Sequence, residues 1–448
     1  MTTTIMWFRQ DLRLADNAAF AEAARRGPVV PVFILDQTNA DVRTPGAASR
    51  WWLHHALSAL SERLGGLVLL RGDPAQMLPA LAREIGAEAI LWNRCYEPGA
   101  VKRDAAIKAG LAGGGIQARS FNGALLHEPW EIRTGGGGPF KVYTPFWRAA
   151  RALPIAAPVR AVKFELARLP ESDRLASWGL TPRSPNWAAG WEHLWTPGEA
   201  GAARRLKKFL SDGLRGYPEN RDRPAIDGTS RLSPHLHWGE ISPRQIWAAT
   251  QSAVEREPEL ARDAEKFLSE IGWREFAHHL LFHFPAAAQK NWRASFDAYP
   301  WRDAPADLKA WQRGLTGYPL VDAGMRELWA TGYMHNRVRM VAASFLTKHL
   351  RIDWRKGEAW FWDTLLDADM ANNVAGWQWV AGSGADAAPY FRIFNPAEQA
   401  RKFDPDFAYV RKWVPELDTP AYPRPMVEHA EARRAALAGY EKVRAAGG

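Results

Sequence analysis

Hydrophobic and polar residues alternate in two different ways along this chain of 448 residues. Over residues 1–130, short apolar runs such as "PVVPVFIL" and "EAILWN" are bounded by Gly, Pro or polar residues, as is typical of β-strands. Segments with helical periodicity, such as "NAAFAEAARR" and "SRWWLHHALSALSERL", lie between them. This alternation predicts an N-terminal Rossmann-like α/β domain with a parallel sheet over residues 1–130.

The pattern changes after residue 130. Residues 131–199 contain the glycine run "TGGGGPF" and the proline-rich stretches "ALPIAAPVRA" and "GLTPRSPNW", which predict a long inter-domain linker over the surface. From residue 200 the strand pattern disappears, and amphipathic helical segments such as "ARDAEKFLSEIGWREFAHHLLFHF" follow one another. The predicted fold class is therefore α/β plus all-α, with an all-helical domain over residues 200–448.

Composition limits the class of protein. The hydrophobic fraction of 47% predicts packed cores, and no apolar run is long enough to predict a membrane-spanning helix. The N-terminus lacks the pattern of a signal peptide. Cys95 is the single cysteine, which excludes an intramolecular disulfide framework and a cysteine metal cluster, and no metal site is predicted. We expect a monomeric cytoplasmic protein.

Charge and tryptophan content suggest partners. The formal net charge of +9 favours a polyanion such as nucleic acid, although it is also compatible with a general solubility charge. The 23 Trp residues suggest stacking surfaces or electron carriers beyond those that fill the core. No GxGxxG follows the first predicted strand, so the pattern does not predict a nicotinamide dinucleotide site.

The stretch "DADMANNVAGWQW" at residues 367–379 suits neither a core helix nor a solvated one. On a helix, Asp369, Asn373 and Trp377 recur every four residues and share a slowly drifting stripe, with Asp367 nearby. Buried Asp and Asn side chains need hydrogen-bond partners, and a polar heterocycle with several N–H and C=O groups supplies them. The alternative is a purely structural polar network.

Other segments carry weaker signals. Glu270, Trp273 and Arg274 share a helical face, which fits a site wall or an exposed Glu–Arg pair beside a buried Trp. Hydroxyl residues before Pro234 suit either phosphate binding or ordinary helix capping. Basic residues around Asn336 fit contacts to phosphate or a cofactor, or a solvated helix face. The basic and aromatic segment after residue 389 fits nucleic-acid backbone tracking or a plain basic surface.

The chain resembles the photolyase/cryptochrome family along nearly its whole length. The segments that carry the resemblance are "WFRQDLRLADN", "GTSRLSPHLHWGEISPRQ", "WREF", "TGYPLVDAGMREL", "GYMHNRVRMVAASFL", "DADMANNVAGWQW" and "APYFRIFNP". The resemblance implies an N-terminal antenna domain, a linker and a C-terminal helical FAD-binding domain.

The resemblance also implies a cofactor site. Contacts on the phosphate side of FAD are expected from Tyr217, Thr229, Ser230, Leu232 and Ser233. Contacts around the ribose and isoalloxazine are expected from Arg274, Asn336, Asp367, Asp369 and Asn373. Arg274 and Asp367 are expected to form a charge-assisted pair, Asn373 to face flavin N5, and Phe267 to stand where the family often has Trp.

A substrate site and an electron path are implied in the same way. The lesion pocket is expected to contain Glu270, Trp273, Met340 and Trp379. Arg337 and Arg392 are expected to contact phosphates, and Glu270 to hydrogen-bond the thymine carbonyl and stabilise the radical anion. Trp301, Trp354 and Trp377 resemble the chain of tryptophans that photoreduces FAD in this family.

The implied activity is light-driven repair of DNA that contains cyclobutane pyrimidine dimers, by electron transfer from excited reduced FAD to a flipped-out dimer. Asn373, the tryptophans of the lesion pocket and the short segment after the FAD domain favour repair over a signalling cryptochrome, which remains an alternative. Met340 disfavours the other alternative, a six-four photolyase, because those enzymes carry His there. Two alternatives from other functional classes are a DNA-binding flavoprotein without repair activity and a light-independent flavin oxidoreductase.

An antenna chromophore is also implied. The Asn-Glu pair that binds folate in enterobacterial members falls on Gly99 and Ala100, which cannot form those bonds. The segment "SRWWLHHAL", however, is similar to the corresponding segment of plant cryptochromes and class III photolyases. We therefore expect methenyltetrahydrofolate, with deazaflavin, FMN or an empty site as alternatives.

Overall fold

The structure is a computed structural model that describes residues 3–387 and 390–447. In those residues five strands form one parallel sheet of order β3-β2-β1-β4-β5. The strands are Thr4–Phe8 (β1), Val29–Leu35 (β2), Val68–Arg71 (β3), Ala89–Asn93 (β4) and Gln117–Phe121 (β5). The predicted parallel α/β fold is confirmed. Strand β5 escaped the sequence analysis because this half-exposed edge strand, "QARSF", is largely polar.

Helices cover both faces of the sheet. They are Ala18–Arg26 (α1), Ala47–Leu64 (α2), Pro74–Glu84 (α3) and Pro98–Ala112 (α4). Helix α2 also joins the two halves of the molecule, since its Trp51 and Trp52 lie in one apolar core with Trp191, Trp238 and Leu366. The halves therefore share buried surface.

The predicted linker contains more structure than its sequence suggested. It includes the helices Tyr143–Ala152 (α5) and Trp191–Leu194 (α6). Helix α5 buries Phe146 and Trp147 in a core that it shares with the helical half, so this part of the linker does not lie on the surface. Farther along, Leu166 forms a parallel bridge with Val29 of β2 and extends the sheet contact.

From residue 199 onward the described chain is helical, as predicted. The helices are Glu199–Lys208 (α7), Tyr217–Asn220 (α8), Ser233–His237 (α9), Pro243–Arg256 (α10), Ala261–His283 (α11), Pro305–Gln312 (α12), Pro319–Thr331 (α13), Asn336–Ser344 (α14), Trp354–Thr364 (α15), Met370–Ala381 (α16), Pro396–Phe403 (α17), Ala408–Trp413 (α18) and His429–Ala446 (α19). Shorter 3₁₀ turns occupy Leu175–Trp178, Pro258–Leu260, Pro285–Ala288 and Ala294–Ala298, and π-helical turns occupy Phe209–Gly213 and Phe345–His349. Among the described helices, none has a stretch that is both long and apolar enough to cross a membrane.

The helical half is arranged around α16. This helix packs against α11, α14 and α15, and α8 packs against α11. The stretch at 367–379, which starts just before α16, therefore lies at the centre of the helical half and faces several elements at once.

Candidate functional site

A cavity of about 670 Å³ opens between α8, α9, α11, α14 and α16. This volume lies within the range typical of cofactor pockets. The residues of the predicted site that line it are Tyr217, Thr229, Ser230, Leu232, Ser233, Phe267, Glu270, Trp273, Arg274, Asn336, Arg337, Met340, Asp367, Asp369, Asn373, Trp377 and Trp379. Three other residues of that prediction, Trp301, Trp354 and Arg392, are outside its lining.

The polar residues of the 367–379 stretch face this cavity. Asp369 caps α16, because its carboxylate accepts hydrogen bonds from the backbone N–H and the side-chain amide of Asn372, at 2.8 and 2.7 Å. Asn373 and Trp377 follow within the helix. All four residues line the cavity, but Asp369 precedes the helix, whereas the periodicity had placed it inside.

The Asp369 carboxylate is held in its ionised form. Its Oδ2 lies 3.4 Å from His278 Nε2. Burial by itself favours the neutral acid, but the charges of His278 and Arg274 outweigh burial and hold the pKa of Asp369 well below its usual range. The cavity therefore has a fixed negative charge at this wall.

Asn373 is oriented by a buried acid on the neighbouring helix. Its Nδ2 donates to Glu358 Oε1 at 2.8 Å, and Glu358 also accepts two hydrogen bonds from Arg43 at 2.6 and 3.1 Å. Because Nδ2 is committed to Glu358, the amide oxygen of Asn373 is the atom left for a partner in the cavity. This network begins in the α/β half and ends at the cavity wall.

The expected Arg274–Asp367 pair is wrong. Asp367 instead forms a bidentate salt bridge with Arg339, at 3.0 and 2.8 Å, and accepts a hydrogen bond from Ser233. Arg274 donates to the backbone oxygen of Ala124 at 2.6 Å. Arg339 is one turn from Asn336 on α14 and points toward the start of α16, which the linear sequence did not reveal.

The expected phosphate side of the site forms a separate wall. Thr229, Ser230, Leu232 and Ser233 approach the cavity from the loop before α9 and from its first residue. Tyr217 and Phe267 are buried there, with ring centroids 5.6 Å apart. This wall combines hydroxyl groups with aromatic packing.

Glu270 lies at the mouth of the cavity with two cations. Both terminal nitrogens of the Arg221 guanidinium donate to its carboxylate, and Lys266 Nζ lies 3.2 Å from it. Neither Arg221 nor Lys266 was among the predicted site residues. Lys266 precedes Glu270 by four residues on α11, a spacing that predicts such a pair, but Arg221 is brought to Glu270 only by the fold.

Aromatic side chains line the same mouth. Trp273 is 36% exposed and stacks on Tyr143, with centroids 3.7 Å apart and planes at 9°. Trp379 is half-buried and donates through Nε1 to the backbone oxygen of Asp386 at 3.1 Å. Met340 of α14 lines the same cavity. The mouth thus offers broad apolar surface beside the Glu270 carboxylate.

Two arginines were expected to bind phosphate. Arg337 Nη2 donates to Asp222 Oδ2 at 2.7 Å, and its guanidinium lies over the Phe403 ring at 4.4 Å. Arg392 lines a small separate cavity that also includes Trp379. Two residues of the "APYFRIFNP" segment that carried part of the resemblance, Ala388 and Pro389, lie outside the described residues.

The three tryptophans of the expected electron path lie in one region. Trp377 is buried and lines the cavity, whereas Trp354 is buried behind it and donates to Asn291 Oδ1 at 2.8 Å. Trp301 is half-buried and packs against the same core cluster. Trp301 is thus the most exposed of the three, and their role as a path stays a prediction.

The lining fits FAD chemically. Hydroxyl groups and arginines at the α9 end suit a pyrophosphate, and the carboxylates and amides around α16 suit a polar heterocycle. Apolar residues such as Leu236, Ile271 and Phe267 supply the walls that an aromatic ring system needs.

Comparisons with known proteins agree with this geometry. The family model described as "DNA photolyase" matches residues 4–163, and the "FAD binding domain of DNA photolyase" matches residues 267–421. A deoxyribodipyrimidine photo-lyase of Agrobacterium fabrum is 50% identical over 98% of each chain. Cryptochrome-2 of Arabidopsis thaliana is 38% identical over 92% of this chain and 70% of the relative.

A solved structure is similar over the same length. The crystal structure of a bacterial class III photolyase from Agrobacterium tumefaciens covers 99% of this chain and 98% of its own, with a TM-score of 0.95 and 49% identity. Sequence, fold and cavity lining lead to one conclusion: the chain belongs to the DNA photolyase/cryptochrome family.

Proposed function

We propose that this protein is a deoxyribodipyrimidine photo-lyase that uses FAD and light to split cyclobutane pyrimidine dimers in DNA. One observation carries the proposal. The expected cofactor residues, including Ser233 and Asn373, and the expected lesion residues, including Glu270 and Trp379, line a single continuous cavity. A flavin and a flipped-out dimer would then share the cavity with no wall of protein between them.

The chain's own residues would hold and orient the cofactor. When bound and reduced, FAD supplies on excitation the electron that splits the dimer. Thr229 and Ser230 would donate to the pyrophosphate through their hydroxyl groups. Ser233, whose hydroxyl donates to Asp367, would offer its backbone N–H. Asn373 would present its amide oxygen to flavin N5, since Glu358 occupies its Nδ2.

The lesion side would use both shape and charge. Trp273 and Trp379 would contact the two faces of the dimer, whose apolar ring system suits indole surfaces. Glu270 would accept a hydrogen bond from thymine N3–H, beside the carbonyl groups, and in doing so fix the dimer in the cavity. Photolyases act on a nucleotide flipped out of the duplex, so phosphate contacts from Arg337 and Arg392 would provide much of the affinity.

The decisive test is to illuminate the reduced protein with DNA that contains thymine dimers and to count the dimers that remain, with a dark sample as the control. We expect light-dependent loss of dimers. Glu270→Ala is expected to lower the repair yield more than it lowers FAD content. No loss of dimers by a flavin-loaded protein in light would contradict the proposal and favour a cryptochrome-type photoreceptor or a non-repair flavoprotein.

For the antenna chromophore we propose methenyltetrahydrofolate beside α2. The ring centroid of Trp51 lies 4.5 Å from that of His55 and 5.4 Å from that of Trp191. The adjacent His54 has a buried Nδ1 without a hydrogen-bond partner in the described residues. Buried indoles beside half-buried imidazole groups suit a flat, polar pterin. His54 would offer its free ring nitrogen as a hydrogen-bonding partner.

The flavin alternatives for the antenna are disfavoured by the sheet. Ligands of open parallel sheets bind where the strand order reverses, which here is between β1 and β4. Buried Arg9 occupies that place, pairs with Asp104 at 2.8 Å and lies over Trp7.

Reconstitution tests the proposal: folate should bind and transfer excitation energy to FAD, whereas FMN and deazaflavin should not, and His54→Ala should weaken folate binding.

We also propose that the protein acts as a monomer in the cytoplasm, with access to DNA. Sedimentation of the FAD-loaded protein at micromolar concentration tests the oligomeric state, and a dimer would contradict the proposal.

A further inference from the structure

Asp222 lies at the mouth of the cavity, in the turn after α8. Its Oδ2 accepts a hydrogen bond from Arg337 Nη2 at 2.7 Å, and its Oδ1 lies 3.9 Å from Arg221 Nε. Arg221 itself is engaged by the carboxylate of Glu270. Two acids and two arginines therefore alternate along the mouth, in the order Arg337, Asp222, Arg221, Glu270.

In this order, each arginine lies next to a carboxylate and each inner group has a neighbour on both sides, so a change of partner at one end can pass along the row. Asp222 is 28% exposed in its side chain and binds Arg337 in the same way as a phosphate oxygen would. Arg337 is otherwise fixed by the Phe403 ring beneath it, so it does not need to move to receive a phosphate. Because Asp222 occupies Nη2, a phosphate gains a bidentate contact with Arg337 only when it displaces this internal carboxylate.

We propose that Asp222 is a specificity-determining residue, which keeps Arg337 from DNA phosphate until a lesion enters the cavity. The proposal rests on the proposed function. A dimer that hydrogen-bonds Glu270 competes with Arg221 for that carboxylate. Arg221 then turns to Asp222, already 3.9 Å away, and Arg337 is released to the phosphate beside the lesion. Undamaged DNA leaves Glu270 with Arg221, so Asp222 stays on Arg337.

Because of this exchange, loss of the charge at position 222 should change the affinity for undamaged DNA and for dimer-containing DNA by different amounts. In Asp222→Asn the competitor for Arg337 is lost. Affinity for undamaged DNA should rise about 3- to 10-fold, because one phosphate contact is gained, whereas affinity for dimer-containing DNA should change less than twofold. The salt dependence of binding to undamaged DNA should steepen by about one phosphate contact.

The experiment measures the dissociation constants of the FAD-loaded full chain for matched duplexes with and without one thymine dimer, at several salt concentrations. Asp303→Asn is the matched control, since it removes the same charge from an exposed pair with Lys356 outside the cavity lining. Asp222→Ser is a second variant in case Asn disturbs the turn. In an Arg337→Gln background, Asp222→Asn should have no effect on undamaged DNA.

The outcomes separate this proposal from the function on which it rests. If the wild type prefers dimer-containing DNA but Asp222→Asn weakens both DNAs equally, or matches Asp303→Asn, Asp222 has a structural role and the proposal is overturned. If the double variant still shows increased affinity, Asp222 does not act through Arg337, which also overturns it. A wild type without preference for dimers overturns the proposed function itself.

Discussion

Arg43 of the α/β half and Glu358 of α15 form a bidentate salt bridge, with nitrogen–oxygen distances of 2.6 and 3.1 Å. Glu358 is buried and also accepts the hydrogen bond from Asn373, so a residue far away in sequence supports the amide expected at the flavin. A buried carboxylate needs this kind of compensation. The α/β half therefore contributes directly to the order of the cavity.

The first prediction concerns this network. Glu358→Ala should free Asn373 to rotate and should weaken FAD binding about tenfold, because a hydrogen bond to a charged group contributes roughly 1.5–3 kcal/mol. Titration of the apoprotein with FAD, followed by flavin fluorescence, measures the effect. Lys102→Met is the control, since Lys102 forms an exposed pair with Asp41. Equal FAD affinity in both variants would show that the network does not order Asn373.

The second prediction concerns Asp367 and Arg339. Asp367→Asn should leave the partly buried guanidinium without its bidentate partner and lower the free energy of unfolding by about 2–3 kcal/mol, below the range for fully buried pairs because the Arg339 side chain is 23% exposed. FAD content after purification should also fall. Urea unfolding measures the change. Glu441→Gln, which breaks an exposed pair with Arg444, should cost less than 1 kcal/mol, and a similar cost for both would contradict the prediction.

The third prediction separates photoreduction from repair. Trp377→Phe removes the indole that lines the cavity but keeps an aromatic ring, so light-driven reduction of oxidised FAD should become at least tenfold slower. Repair by chemically reduced enzyme should stay within about twofold of the wild type. Trp311→Phe is a matched control, because Trp311 is buried 6.1 Å from Trp377 and is outside the cavity lining. Loss of repair in the chemically reduced variant would contradict this division of roles.

The fourth prediction concerns pH and Glu275, which lies beside Arg274 on α11. Burial raises the pKa of this carboxyl to about 7, although Arg274 and the backbone amides of Leu126 and His127 limit the rise. Its other oxygen, Oε1, has no hydrogen-bond partner in the described residues, which fits a protonated acid. In the unfolded chain the same group would titrate at its ordinary value of 4.5.

The direction in which the free energy of unfolding changes with pH follows from proton binding. Between pH 4.5 and 7 the folded chain retains a proton that the unfolded chain loses, so the contribution of Glu275 to stability is complete below 4.5 and is lost as pH rises through 7. Relative to Glu275→Gln, the wild type should lose about 3 kcal/mol between pH 4.5 and 8, measured by urea unfolding. Glu265→Gln, at an exposed position of α11, should show no such trend. A difference that is constant with pH would contradict the raised pKa.

Part of the site could be predicted from the sequence because its residues are close together in the chain. The spacing within 367–379 places Asn373 and Trp377 on one side of a helix whatever the rest of the fold does. The hydroxyl cluster before α9 is similarly local. The resemblance then brought these segments to one cavity, where the structure also finds them.

Pairings between distant segments could not be predicted in this way. Arg274 and Arg339 are both plausible partners for Asp367 by charge, and only the packing of α14 against α16 selects Arg339. Helix α5 was missed for a related reason: its flanking Gly and Pro residues indicate a loop, while burial of Phe146 and Trp147 against the helical half stabilises a helix.

By itself the sequence determined the fold class, the order of the two halves and the segments that carry the chemistry, because periodicity and local spacing act within a few turns of one element. Only the tertiary structure decided which ions meet: Arg43 with Glu358, Arg339 with Asp367, and Arg337 with Asp222. Charge–charge pairing depends on distances of a few ångströms, and those distances are fixed by how the elements pack rather than by their order in the chain.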